Sequence, residues 1–219
     1  METNPSNRHS TFVVSEEDDE IIKDAQALAL LEAENGLQQF DEVLRLAEQA
    51  IAAQEFELTP EIVCGLNRLA VAGICRSAGM LRTVPIGITN TDHEPPPPEE
   101  VEQFVIEMCN YVKAKWSLQG DPLRDAIHLS SYVMWRLNWI HLFRDGNGRT
   151  SRAVSYLVLT IRLGQVLRGE PTIPDQIIDS KGPYYRALDD ADAASKKGRI
   201  DLSTMERLIE SLLEKQLSQ

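Results

Sequence analysis

Two stretches that are apolar almost all round bracket a short polar loop, and this constrains the chain more than any other feature. The first starts at Asp121-Pro122 and runs through Ile127, Tyr132, Trp135, Leu137 and Ile140. The second runs from Ala153 through Val154, Leu157, Val158 and Ile161. Helices without a polar face belong in a core. The residues between them are His141-Leu142-Phe143-Arg144-Asp145-Gly146-Asn147-Gly148-Arg149-Thr150-Ser151-Arg152. A loop held between two buried helices is a place where side chains can be kept rigid.

The rest of the chain also reads as helices. From Ile21 to about Gln54 apolar residues recur at helical spacing, with Asn35-Gly36 expected to split the run into two helices. Thr59-Pro60 starts another, by N-cap and first-turn proline, expected to reach about Ser77. Thr83 to Thr89 alternates β-branched residues and predicts one short strand or a small hairpin. Pro95 to Pro98 forbid helix, and Glu99 opens one that continues to Trp116. Tyr184-Tyr185 opens a further helix and Asp201-Leu202-Ser203 caps the last. The fold class is all-α with one small β element. The expected organisation is a disordered or loosely attached tail over 1–16 and an N-terminal helical segment over 17–56. A core over 57–180 carries the loop, and C-terminal helices over 181–219 pack on it.

Charge and cysteines bound the function classes. The formal net charge is −12. Nucleic-acid binders show a basic stripe, and none of length occurs here, so no nucleic-acid partner is expected. No apolar run is long enough to span a bilayer, so no membrane role is expected. The start of the chain lacks a basic region followed by an apolar core, so it is not read as a secretory signal. The three cysteines, Cys64, Cys75 and Cys109, include no CxxC pair. They read as buried, reduced thiols, and the expected location is cytoplasmic.

Against this acidic background the loop carries three arginines and one aspartate. His141 can accept a proton near neutral pH and is the candidate general base. Asp145 offers the hard oxygen ligands that suit Mg²⁺, which needs only one or two carboxylates when phosphates complete its shell. Gly146 and Gly148 let the backbone approach a phosphate, and Asn147 can donate its amide to a phosphate oxygen. Arg149 and Arg152, three apart at a helix start, share a face and can grip phosphate oxygens in a two-pronged way. Arg144 is expected to be exposed. His9, His93 and His128 lie in the tail, a loop and an apolar helix and are read as outside the chemistry.

His-x-Phe-x-Asp-Gly-Asn-Gly-Arg-x-x-Arg resembles the signature of the Fic family, with Leu142 where that family usually has proline. The stretch Leu81 to His93 resembles its substrate-docking hairpin flap, and Trp135 to Ile140 and Tyr184-Tyr185 also resemble its members. The resemblance implies a Fic-type helical domain with a small β-hairpin flap. It implies transfer of AMP from ATP, with Mg²⁺, to a Ser, Thr or Tyr hydroxyl of a protein substrate. His141 would be the base, Asp145 the metal ligand, and Gly146, Asn147, Gly148, Arg149 and Arg152 the nucleotide-binding residues. Alternatives are other nucleotide or phosphoryl transfer, removal of AMP, or a non-catalytic nucleotide-sensing module. Many members carry an inhibitory glutamate in a Ser/Thr-x-x-x-Glu-Gly/Asn pattern, paired with the second arginine. Leu30 to Asn35 resembles it at Glu34-Asn35, with Leu30 in place of the hydroxyl residue. Glu34 is therefore the candidate inhibitory residue, acting on Arg152; a separate antitoxin chain or a self-dimer is the alternative partner.

Overall fold

The computed structural model describes residues 11–13, 19–89, 91–116 and 120–218. In chain order these form β1 (Thr11–Val13), α1 (Ala25–Ala53), α2 (Pro60–Ala70), β2 (Ile86–Ile88) and α3 (Pro98–Trp116). They continue with α4 (Pro122–Ile140), α5 (Asn147–Leu163), α6 (Ile173–Asp179), α7 (Lys181–Ser195) and α8 (Ser203–Leu217). The expected all-α class holds. No helix of the described residues is long and apolar enough to cross a membrane.

The two apolar stretches are α4 and α5, and they form the centre. Asp121 caps α4 by accepting from the N–H groups of Leu123 and Arg124, with Pro122 in the first turn. Serines let the pair approach closely: Ser130 Oγ donates to the Ser155 carbonyl at 3.1 Å, and Ser155 Oγ to the Ser130 carbonyl at 3.0 Å. Val133, Leu137 and Ile140 of α4 and Val154, Leu157 and Val158 of α5 are all buried. One apolar cluster includes residues from all eight helices, so the end of α4 and the start of α5 are fixed from several sides.

Several expectations need correction. The α1 helix runs unbroken through Asn35-Gly36. Asn35 is buried and donates to the Ala72 carbonyl at 2.8 Å, and Gln39 donates to the Leu66 carbonyl at 2.9 Å. These tertiary bonds offset the roughly 1 kcal/mol that a helical glycine costs. The α2 helix stops at Ala70, short of Ser77, and Gly73 follows in the left-handed region at φ 69°. The short α6 was not anticipated; Thr172 and Asp175 form a capping box at its start.

Of the two β forms expected over Thr83 to Thr89, the structure has the one short strand. β2 is not half of a local hairpin. It pairs antiparallel with β1, in register Thr11↔Ile88, Phe12↔Gly87 and Val13↔Ile86. β1 lies within the segment expected to be a loose tail; the other residues of 1–16 lie outside the described residues.

Candidate active site

The site is built where α4 ends and α5 begins. His141 follows α4 directly with φ 52° and ψ 63°, a left-handed conformation that a non-glycine residue keeps only when its surroundings hold it. Its N–H bonds to the Leu137 carbonyl at 3.0 Å. Its Nδ1 lies 3.2 Å from the Asn138 carbonyl. A carbonyl only accepts, so Nδ1 carries the proton and the lone pair is on Nε2. That is the tautomer a general base needs. His141 is 3% exposed, so an incoming hydroxyl reaches it only after some cover moves.

Much of what holds this turn is Arg82, which sequence reasoning missed. It is 3% exposed. Its Nε donates to the His141 carbonyl at 2.8 Å, and its terminal nitrogens to the carbonyls of Pro96, Ile140 and Val84. Its backbone N–H donates to the Leu142 carbonyl at 2.9 Å. Burial pulls its pKa down to about 10, with Glu99 pushing the other way. One guanidinium thus ties the base of β2 to the end of α4. Leu142, which stands at the family's proline position, is buried there.

The loop closes on itself through Asn147. Its Oδ1 accepts from Phe143 N–H at 2.9 Å, and its Nδ2 donates to the Phe143 carbonyl at 2.8 Å. Asn147 is 4% exposed, and its amide acts here as a clamp inside the loop. Phe143 is buried and anchors the other end of that clamp. Asn67 of α2 supports it from behind, donating to the Asp145 carbonyl at 3.0 Å and to Thr150 Oγ1 at 3.1 Å. The expected Gly146 role is sharpened: it sits at φ 77°, and a Cβ there would lie 2.7 Å from Val71 and 2.8 Å from Asn67. Gly146 caps α5 without a side-chain bond. The N–H groups of Asn147, Gly148 and Arg149 in the first turn therefore point out of the helix end, where an anion is favoured.

The two motif arginines differ. Arg149 donates to Glu32 and to Asp145 at 3.0 Å each, and to the Ala70 carbonyl at 3.1 Å. Arg152 packs beside Tyr184 and Tyr185, and burial lowers its pKa while the two phenols oppose that shift. Among the described residues no carboxylate lies within ion-pair distance of Arg152. A desolvated cation of this kind is stabilised by an arriving anion. Tyr184 is buried, its hydroxyl accepts from Asn138 at 2.9 Å, and burial raises its pKa, so it acts as a neutral phenol.

Asp145 is about half exposed; one oxygen takes the Gly146 N–H and the other pairs with Arg149. A single accessible carboxylate beside a helix start without a side-chain cap has the hard oxygens that suit Mg²⁺ when other ligands complete its shell. Among the described residues no cluster of three or more metal-type ligands occurs. Arg144 is corrected from exposed to largely covered, with Asp19 3.8 Å away. Glu34 is exposed on α1 and, among the described residues, forms no ion pair with Arg152; Glu32, two residues earlier, pairs with Arg149 of the motif. Cys75 and Cys109 are buried and Cys64 is partly so. Burial raises the pKa of all three, to about 11 for Cys75 and about 12 for Cys109.

Residues 57–159 match the sequence model of the Fic/DOC family. The chain is 28% identical over 122 residues to a protein adenylyltransferase Fic of Nematostella vectensis. That match covers 54% of this chain and 27% of the relative, so the chain spans about a quarter of that protein. Solved structures share the fold. A Fic domain containing signaling protein from Bacteroides thetaiotaomicron superposes with a TM-score of 0.64 at 21% identity, over 84% of this chain and 70% of that one. The N-terminal FIC domain of the Bep8 effector of Bartonella sp. 1-1C gives 0.61 at 15% identity, covering 87% of each chain.

Proposed function

We propose, from the match of residues 57–159 to the Fic/DOC family model, that this chain transfers AMP from ATP to a hydroxyl side chain of a protein. The observation that carries the reading is one arrangement. His141, with its proton fixed on Nδ1 by the Asn138 carbonyl, stands beside an uncapped helix start that bears Arg149 and the desolvated Arg152. A nucleotide sensor has no use for an oriented base.

In the proposed reaction the target hydroxyl oxygen bonds to the α-phosphorus of ATP. Its proton goes to Nε2 of His141. The bond from the α-phosphorus to the bridging oxygen breaks, and pyrophosphate leaves. The first-turn N–H groups of α5 offset the growing negative charge, and Arg149 and Arg152 hold the leaving phosphates. Asp145 would hold Mg²⁺ together with phosphate oxygens, and the metal would supply further neutralising charge. Arg149 must first exchange Glu32 and Asp145 for phosphate. The cradle is pre-formed by Asn147, Asn67 and Arg82, so little reorganisation is required at the moment of reaction.

ATP labelled at the α- or the γ-phosphate tests the class of transfer. Protein-bound label from the α position alone supports AMP transfer. Label from the γ position alone would replace it with phosphorylation, and label from neither would favour the sensing role.

A further inference from the structure

β2 holds an unusual occupant. Leu81 to His93 resembles the family's substrate-docking flap, and an unpaired strand edge there would be a template on which a target segment could add as a further strand. In this chain Thr11–Val13 already pair with Ile86–Ile88. β2 cannot swing away from the loop, because Arg82 fastens its base to the His141, Ile140 and Leu142 carbonyls.

A second attachment fixes the same arm close to the motif. Ile21 N–H donates to the Ile74 carbonyl at 2.8 Å, and Arg76 N–H to the Asp19 carbonyl at 3.0 Å. Glu20 and Cys75 form an isolated antiparallel bridge. The Asp19 carboxylate accepts from both the N–H and the hydroxyl of Ser77, and it lies 3.8 Å from Arg144 of the loop. Six residue steps separate Val13 from Asp19, at most about 20 Å of extended chain. The paired strand is thus tied to a point on the catalytic loop itself.

We propose that the segment carrying Thr11–Val13 and Asp19–Ile21 is a tethered competitor of the protein substrate, occupying the flap edge until a target displaces it. This rests on the AMP-transfer reading above. The energetics suit a competitor that yields. A three-residue, two-stranded pairing is marginal by itself. A tether raises its effective concentration to about the millimolar range, so a free target at micromolar concentration is excluded unless it pairs better.

The test uses the full chain carrying Phe12→Pro and Val13→Pro together, which removes ladder N–H groups in either hydrogen-bonding phase of the pair. Two readouts are taken: amide hydrogen exchange at Ile86–Ile88, and α-label appearing on other proteins in a lysate. The expected result is exchange about tenfold or more faster at Ile86–Ile88, unchanged exchange in α4 and α5, and several-fold more label on other proteins. Asp19→Ala, which removes only the carboxylate's bonds to Ser77 and its approach to Arg144 and so weakens the second attachment, should move both readouts the same way by a smaller factor. Unchanged exchange would show that the strand is not paired. Faster exchange with unchanged labelling would show that the edge is not the docking site. Label on Ser10, Thr11 or Ser15 of the arm would make it a substrate rather than a competitor. Each of these overturns the proposal. Loss of all label, with the exchange change intact, would instead remove the transfer reading and this inference with it.

Discussion

The carboxylate of Glu32 lies 3.0 Å from the guanidinium of Arg149, joining the middle of α1's first half to the first turn of α5. Arg149 is thereby held by a glutamate where the proposed reaction needs it on a phosphate. Glu32 is 45% exposed at its side chain, so the pair is screened and its worth is small, about 0–1 kcal/mol. Glu32→Ala should therefore tighten ATP binding by no more than about fivefold. Glu34→Gly should change binding through the helix alone, without a specific gain. Calorimetric titration of both variants decides it; tighter binding in Glu34→Gly only would restore Glu34 as the inhibitory residue.

Arg82 should be the most costly cation to remove outside the phosphate site. Arg82→Ala leaves the carbonyls of His141, Ile140 and Pro96 without their donor, at about 1–3 kcal/mol for a buried unsatisfied group. A loss of at least about 2 kcal/mol in chemical denaturation is expected. Arg82→Lys should recover less than half of it, since an ammonium cannot reproduce the fork. A loss under about 0.5 kcal/mol would mean the bonds to the α4 end are not what holds the turn.

Asn147 separates a clamp from a ligand. Asn147→Asp keeps the acceptor for Phe143 N–H but sets an oxygen against the Phe143 carbonyl, where the structure has a donor at 2.8 Å. Without nucleotide present, stability should fall by about 1–3 kcal/mol. Wild-type stability with impaired ATP binding would return Asn147 to the phosphate-binding set.

What the sequence made legible follows from where each signal resides. The helices α4 and α5 and the loop between them were readable because apolar residues all round admit only a buried position, and the loop's residue types are concentrated within one turn of a helix start. Arg82 and Asn67 were not readable. Each is one polar residue whose bonds to the loop and the α4 end reach partners 58 or more positions away. The unbroken α1 was misjudged for a similar reason: Asn35-Gly36 is a local break signal, overridden by the bond from Asn35 to Ala72. The partner of β2 was missed because a three-residue strand carries almost no periodicity.

Asp145 should carry the metal dependence of nucleotide binding. Asp145→Ala also removes one of the two carboxylates that hold Arg149, leaving Glu32, so ATP binding without Mg²⁺ should persist or improve, while the gain on adding Mg²⁺ should shrink. ATP titrations with and without Mg²⁺ measure both quantities in one experiment. An undiminished Mg²⁺ effect in the variant would reject Asp145 as the ligand.

The most direct measurement is protein-bound label from α-labelled ATP with Mg²⁺, comparing the unmodified chain with His141→Ala at matched ATP occupancy. His141 lies outside the phosphate cradle, so the variant should bind ATP nearly as well. Loss of a general base lowers transfer by about 10²–10⁴-fold. Strong labelling by the unmodified chain and a loss of that size in the variant is the expected result. Equal labelling by both, with ATP bound in both, would contradict His141 as the base and the proposed mechanism with it.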